Sequence, residues 1–202
     1  MTTMPETSFK KATQALNLLA QKKDGRINKM KAIKLIYLAD RLHLRKYGRP
    51  IIGDIYWAMK LGPVGSCAKS IAELTEVPVE VLAYAKKYIK PVDAKKQSFA
   101  SIKDPDLSVF SKSDLECLEA VYARFSDKDQ FELAELTHTF PEWAKFEREI
   151  MVKGKKRIKM SYDDFFTDSK TGDDFFAQKK SDLNQAKEYF DESRDVALFF
   201  AK

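Results

Sequence analysis

Apolar residues recur at helical spacing through most of this chain, and breaks in the recurrence divide it into segments. From Ser8 to Gln21, Ala12, Ala15, Leu16 and Leu19 fall on one face, which predicts an amphipathic helix stopped by Asp24-Gly25. Between Asn28 and Tyr47 the apolar positions lie almost all round. Ile33, Ile36, Tyr37 and Leu44 form one stripe, and Leu35, Leu38, Ala39 and Leu42 form another. A helix apolar on nearly every side belongs inside the molecule. Gly48 supplies a left-handed residue just past its end, and Pro50 bars its continuation.

The period then changes. Ile55, Trp57, Met59 and Leu61 alternate within residues 51–61, and Gly53-Asp54 predicts a tight turn that makes this stretch a β-hairpin. Gly62-Pro63 leads into a helix from about Ser66, interrupted at Pro78 and resumed to about Lys90. Residues 99–102 predict a further short strand. Phe110-Ser111-Lys112-Ser113-Asp114-Leu115 reads as a capping box, with Phe110 and Leu115 as its apolar staple. Asp129 and Glu132 repeat the capping pattern ahead of a short helix ending at Thr137-His138, and Pro141 fits the first turn of the next. The unit Asp-Asp-Phe-Phe occurs at 163–166 and again at 173–176, too few copies for a solenoid. A last helix, from about Ser181 to Phe200, places Leu183, Ala186 and Phe190 on one face and ends on Phe199-Phe200. Such an apolar end is expected to dock on this chain or on a partner. The expected fold class is α+β and predominantly α-helical: a multi-helix domain around a central buried helix at 28–47, with a small sheet.

Composition narrows the class further. Of 202 residues 44% are hydrophobic, and the charged residues nearly balance, 36 basic against 30 acidic, as a folded chain with one sizeable core requires. No apolar run approaches the roughly 18 residues of a membrane span, and no secretory apolar segment opens the chain, so the expected location is the cytoplasm. Cys67 and Cys117 lie in apolar, helix-like stretches and are expected to be reduced core residues. The charge is nevertheless uneven: residues 1–62 hold 13 Lys or Arg and 4 Asp or Glu, leaving 23 and 26 for the remainder. A basic N-terminal third is compatible with a nucleic acid or with an acidic protein partner.

Motifs for catalysis are sparse. The histidines and cysteines stand apart at 43, 138, 67 and 117, without metal-ligand spacing. No phosphate loop, dinucleotide fingerprint or nucleophile elbow occurs, and no cofactor is expected. Asp40, His43 and Tyr47 share one helix face. Asp40 orients His43 as a general base in a small hydrolase, or else Asp40 accepts backbone amides and His43 is a satisfied interior residue. The lack of a recognisable nucleophile favours the second. The basic run at Lys153, Lys155, Lys156, Arg157 and Lys159 grips phosphate or is solvated surface. It carries no DNA-reading motif.

One continuous stretch is specific. Lys34-Leu35-Ile36-Tyr37-Leu38-Ala39-Asp40-Arg41-Leu42-His43-Leu44-Arg45-Lys46-Tyr47-Gly48-Arg49-Pro50-Ile51, followed by Gly53-Asp54, Tyr56, Ala58 and Gly62-Pro63-Val64, resembles the Panacea domain. Leu107-Ser108 to Leu118, then Leu136-Thr137-His138 and Trp143, follow in the same order and at similar spacing. The resemblance spans about residues 8–166, giving a Panacea-like domain at 1–166 and a C-terminal helical extension at 167–202. It implies an antitoxin of the SocA type, from a bacterial or prophage toxin–antitoxin pair, that neutralises its toxin by direct protein binding. For the SocA type it further implies delivery of the toxin to the ClpXP protease. Some members add a DNA-binding helix-turn-helix, and none is visible here. The motif positions that are candidates for partner contact or for structure are Asp40, His43, Tyr47, Arg49, Asp54, Tyr56, Gly62, Pro63, His138 and Trp143. Gly62 and Pro63 also have sufficient backbone reasons to stand where they do.

Overall fold

The computed structural model describes residues 6–95, 97–169 and 174–200. Helix α1 (Glu6–Lys22) and the short strand β1 (Arg26–Asn28) lead into helix α2 (Lys29–Tyr47). The Asn28 side chain accepts the Lys31 amide to open α2, and Gly48, at φ +67°, donates its N–H to the Leu44 carbonyl to close it. Both caps satisfy backbone groups that a helix end leaves orphaned. Every residue from Lys31 to Arg45 is buried. The helix that is apolar almost all round is therefore the centre of the molecule, with its scattered charges sealed in as well.

Past α2 the chain is irregular until a hairpin forms from strands β2 (Tyr56–Met59) and β3 (Gly62–Gly65). The hairpin is displaced from its expected position: it reverses at Lys60-Leu61, where Met59 pairs with Gly62, and not at Gly53-Asp54. The physical reason lies in the polar groups of residues 51–55. The Ile51 and Ile52 amides donate to Asp40, and the Asp54 carboxylate accepts the amides of Cys67 and Ala68, so no ladder forms there. Within β2, Tyr56 and Ala58 are buried while Trp57 and Met59 are half-buried.

Helices α3 (Ser66–Glu73) and α4 (Val79–Ala85) follow, then strands β4 (Ile89–Pro91) and β5 (Ser98–Ser101). The helix expected to reach Lys90 stops at Ala85, because Ile89–Pro91 pairs antiparallel with β5. Pro91 lacks the N–H a helix would use, and β4 is an edge strand in the order β1-β5-β4, where that loss is tolerated. Helices α5 (Lys112–Phe125) and α6 (Gln130–His138) each open on a complete capping box, Ser111 with Asp114 and Asp129 with Glu132, and α7 (Pro141–Ala144) opens on its proline. Strand β6 (Ile158–Lys159) extends the hairpin into a second antiparallel sheet, β3-β2-β6. The long helix α8 (Lys180–Phe200) ends the described chain. The fold is thus mostly helical, with two small antiparallel sheets, and α1, α3, α5, α6, α8 and β3 all pack on α2. No helix among the described residues is long and apolar enough to cross a membrane.

The two Asp-Asp-Phe-Phe units form 3₁₀ turns at Tyr162–Phe166 and Asp174–Phe176; Asp173 lies outside the described residues. They bury Phe165, Phe166 and Phe176 in the core. Helix α8 lies against α2 through buried Leu183 and Ala186, while Phe190 meets the rings of Tyr162 and Phe166. Its last turns expose Val196, Leu198, Phe199 and Phe200. Gly48 sets how closely α2 and α8 approach. A Cβ there would overlap the Ala186 carbonyl oxygen and lie 2.9 Å from the Tyr189 ring, on a backbone already at positive φ. Gly48→Ala is expected to cost about 2 kcal/mol and to speed amide exchange along α8. Unchanged melting and exchange would show that α8 does not depend on this contact.

Candidate functional site

The motif residues gather into three neighbouring clusters along α2. The first surrounds Asp40. Its Oδ1 accepts the Ile51 and Ile52 amides, both at 2.9 Å, and its Oδ2 accepts the Tyr56 hydroxyl at 2.9 Å. Asp54 sits beyond Tyr56, accepting the Cys67 and Ala68 amides at 2.9 Å each at the start of α3, the polarity a helix N-terminus favours. Burial raises the Asp40 pKa to about 7 and the Asp54 pKa to about 6, in both cases against the pull of these donors. Tyr162 closes the group by donating to the Asp54 carbonyl at 2.8 Å.

The second cluster joins α2 to α5. His43 Nδ1 lies 2.7 Å from the Arg49 carbonyl, which can only accept, so Nδ1 carries the proton; Nε2 then accepts from the Ser113 hydroxyl at 2.9 Å. Burial lowers the His43 pKa to about 4, leaving a neutral ring near pH 7. Asp114 approaches His43 Nε2 at 3.2 Å, pairs with Arg49 at 2.9 Å and with Lys11 at 2.6 Å. Burial opposes the charge on Asp114, but the Lys11 and Ser111 hydrogen bonds and the nearby cations outweigh it and hold the pKa below the usual carboxylate value. Tyr47 packs on His43 with ring centres 4.7 Å apart. Together with Lys46 it also borders an open cleft of about 460 Å³ against Gln178, Asp182, Gln185 and Tyr189.

The third cluster lies under the β2–β3 turn. His138 stacks on Trp143 at 3.7 Å and 16°, and the Trp143 indole donates to the Met59 carbonyl at 2.9 Å. Fully buried Lys34 donates to the Pro63 carbonyl at 2.8 Å, and among the described residues no carboxylate pairs with it. Burial lowers its pKa to about 7. Burial, reinforced by Lys34, lowers that of His138 to about 4. Gly62, at φ +88°, leaves the room this needs, since a Cβ would stand 2.6 Å from Lys34 Nζ.

The structure therefore brings Asp40 together with Tyr56 and Asp54, but it does not join Asp40 to His43. Among the described residues the hydrogen bonds to the Asp40 carboxylate come from Ile51, Ile52 and Tyr56, and Asp40 and His43 are both fully buried. The general-base pairing considered from their helical spacing is not made. Sequence reasoning missed Lys34, Arg41, Arg45 and Glu142. Arg41 pairs with buried Glu142 at 2.8 Å, and the Tyr37 hydroxyl donates to the same oxygen at 2.5 Å. Arg45 donates to the carbonyls of Phe165, Thr167 and Phe176 and bonds Asp168, gathering both 3₁₀ turns onto α2. The overlooked signal was the helix itself, because a helix buried all round must also bury its Lys and Arg and provide each with acceptors. Among the described residues no three His, Cys, Asp or Glu converge as a metal site would need.

These clusters do the work of a scaffold. Each takes a charged or aromatic group of α2, or of the segment just after it, and locks a neighbouring element against it. The stretch that contains most of their residues matches a family model: that of the SocA-like antitoxin, Panacea domain, covers residues 33–144. No curated protein and no solved structure matches the chain. The match runs from inside α2 to the end of α7, more than half the sequence and the greater part of each cluster, with Lys11 and Tyr162 outside it, and by it the chain belongs to the SocA-like Panacea-domain antitoxin family.

Proposed function

We propose that this protein is the antitoxin of a toxin–antitoxin pair and neutralises its cognate toxin by binding it directly. The observation that carries the reading is family membership over residues 33–144. The positions of the motif residues agree with it. Asp40, Asp54, His43 and Trp143 are held by internal hydrogen bonds, so the matched region supplies a rigid platform whose outer surfaces are left for recognition.

Nucleic acid, the other partner class suggested by the basic N-terminal third, has less support. Lys11, Lys22 and Lys29 pair with Asp114, Glu119 and Glu73, Arg41 and Arg45 with Glu142 and Asp168, and Arg49 with Asp114. Lys31 and Lys34 donate to the Ser126 and Pro63 carbonyls. Much of the N-terminal charge is thus compensated within the fold, and phosphate contacts need cations free to face solvent.

The test is co-expression with the neighbouring gene. That gene alone is expected to arrest growth, and this chain in trans is expected to restore it. Arrest that persists despite soluble antitoxin would overturn the reading. The finer form, delivery of the toxin to a protease, predicts that the toxin's half-life shortens when this chain is present; restored growth with an unchanged half-life would leave neutralisation by binding alone.

A further inference from the structure

The sheet β3-β2-β6 has one face turned away from the core, and its central row is set by strand register. Val64 and Lys159 both oppose Trp57, one from each side, so the three side chains share a face. Trp57, Met59 and Val64 are half-buried while their strand neighbours Tyr56, Ala58 and Pro63 are buried. The Arg157 guanidinium lies over the Trp57 ring at 4.6 Å. Among the described residues no carboxylate pairs with Lys60, Arg157 or Lys159, all of which are exposed. This contrasts with Lys153 and Lys155 of the same loop, which both converge on Glu149.

We infer that this face is the docking surface for the toxin, and that the toxin presents to it an acidic patch around an apolar side chain. The inference rests on the antitoxin reading above. An apolar centre of Trp, Met and Val with a cationic edge has the composition of an interface: aromatic, Met and Arg residues are the types that anchor partners, and uncompensated charge selects a partner of opposite sign. A phosphate backbone would use the cations but has nothing to place on Met59 and Val64. The indole Nε1 is already committed to Ser66 at 2.7 Å, so Trp57 offers its carbon surface in a fixed orientation. The platform beneath is stiff, with Ala58 and Pro63 buried on the opposite face, the Pro63 carbonyl bonded to Lys34 of α2 and the Met59 carbonyl bonded to Trp143.

The experiment uses the full chain and the purified product of the adjacent gene. Arg157→Glu and Lys159→Glu are combined in one variant, and Met59→Glu is made separately. Met59 joins the third cluster only through its backbone carbonyl, which the substitution keeps, Arg157 and Lys159 are exposed, and unchanged melting points verify folding. Each variant is expected to bind on the order of 10- to 100-fold more weakly than wild type and to lose growth rescue, with the charge-reversal variant also losing the salt dependence of association. If wild type rescues and folded variants rescue and bind equally well, this face is not the docking surface while the antitoxin reading stands. If wild type neither binds nor rescues, the antitoxin reading falls and the docking inference with it. If instead the variants keep toxin affinity and lose low-salt binding to duplex DNA, the face belongs to nucleic acid and the inference is overturned.

Discussion

Asp40→Ala is expected to destabilise the protein by about 3–5 kcal/mol, whereas Asp40→Asn costs only about 1 kcal/mol. The carboxylate is the acceptor for two backbone amides and one hydroxyl, each at 2.9 Å and all buried. An alanine leaves the Ile51 and Ile52 N–H groups without partners in a place water does not reach, at about 1–3 kcal/mol each. The Tyr56 hydroxyl loses its acceptor too. Part of this is offset, because a carboxyl whose pKa burial raises to about 7 is itself costly to keep ionised. Asparagine tests the balance: its carbonyl oxygen can take both amides, and its NH₂ can donate to a rotated Tyr56 hydroxyl. Urea denaturation of the three proteins measures the differences. Equal stability of the Ala and Asn variants would mean that Asp40 does not organise the 51–55 segment.

That segment also marks where the sequence stopped being legible. The elements read correctly were those whose signal is local: the period of α2, the Gly48 stop, the two capping boxes and Pro141 all depend on residues within a turn of one another. The hairpin was mispositioned because Gly53-Asp54 has a sound local claim to be a tight turn, and the competing claim comes from a carboxylate on α2 at position 40. α4 was extended because nothing near Lys90 reveals that Ile89–Pro91 has a strand waiting at Ser98–Ser101. The candidate site divides in the same way. Asp40, His43, Asp54 and Tyr56 were legible as motif positions, yet their partners were not, since Tyr56, Ser113 and the Cys67 amide lie 13 to 70 residues away from the groups they bond. The pairing of Arg41 with Glu142 spans 101 residues. Spacing along a helix says which groups share a face and nothing about which distant element will cover it.

The buried cations of α2 are not all satisfied alike, and the difference has a measurable consequence. Arg41 and Arg45 have carboxylate partners, whereas among the described residues Lys34 has only the Pro63 carbonyl, in a space beside Gly62 that Thr137 and His138 also border. Burial lowers its pKa from 10.5 to about 7. Between those values the unfolded chain binds a proton at Lys34 that the folded chain does not, so stability rises with pH, at up to about 1.4 kcal/mol per pH unit.

The groups that oppose this lie largely outside the interval from pH 7.5 to 8.5. His43 and His138, lowered to about 4, add stability as pH climbs to 6.5 and then level off. Asp40 and Asp54, raised to about 7 and about 6, favour the fold at low pH and lose that contribution as pH rises through those values. Burial raises Cys67, Cys117 and Tyr56 above their ordinary values of 9.0, 9.0 and 10.0, so they act at higher pH, where the unfolded chain begins to lose their protons. Wild type is therefore expected to gain about 1 kcal/mol from pH 7.5 to 8.5 and to pass its maximum near pH 9.

Lys34→Met keeps the length of the stem, removes the titrating group and leaves the Pro63 carbonyl without its donor. It is expected to match wild type near pH 7, where burying an unpaired ammonium offsets the lost hydrogen bond, and to fall behind as pH rises, its own profile nearly flat from 7.5 to 8.5. Lys31, whose pKa burial also lowers, acts in the same direction, so the difference between the two profiles isolates the share of Lys34. Parallel profiles for the two proteins would mean that Lys34 stays protonated in the fold and that the space beneath the β2–β3 turn solvates its charge.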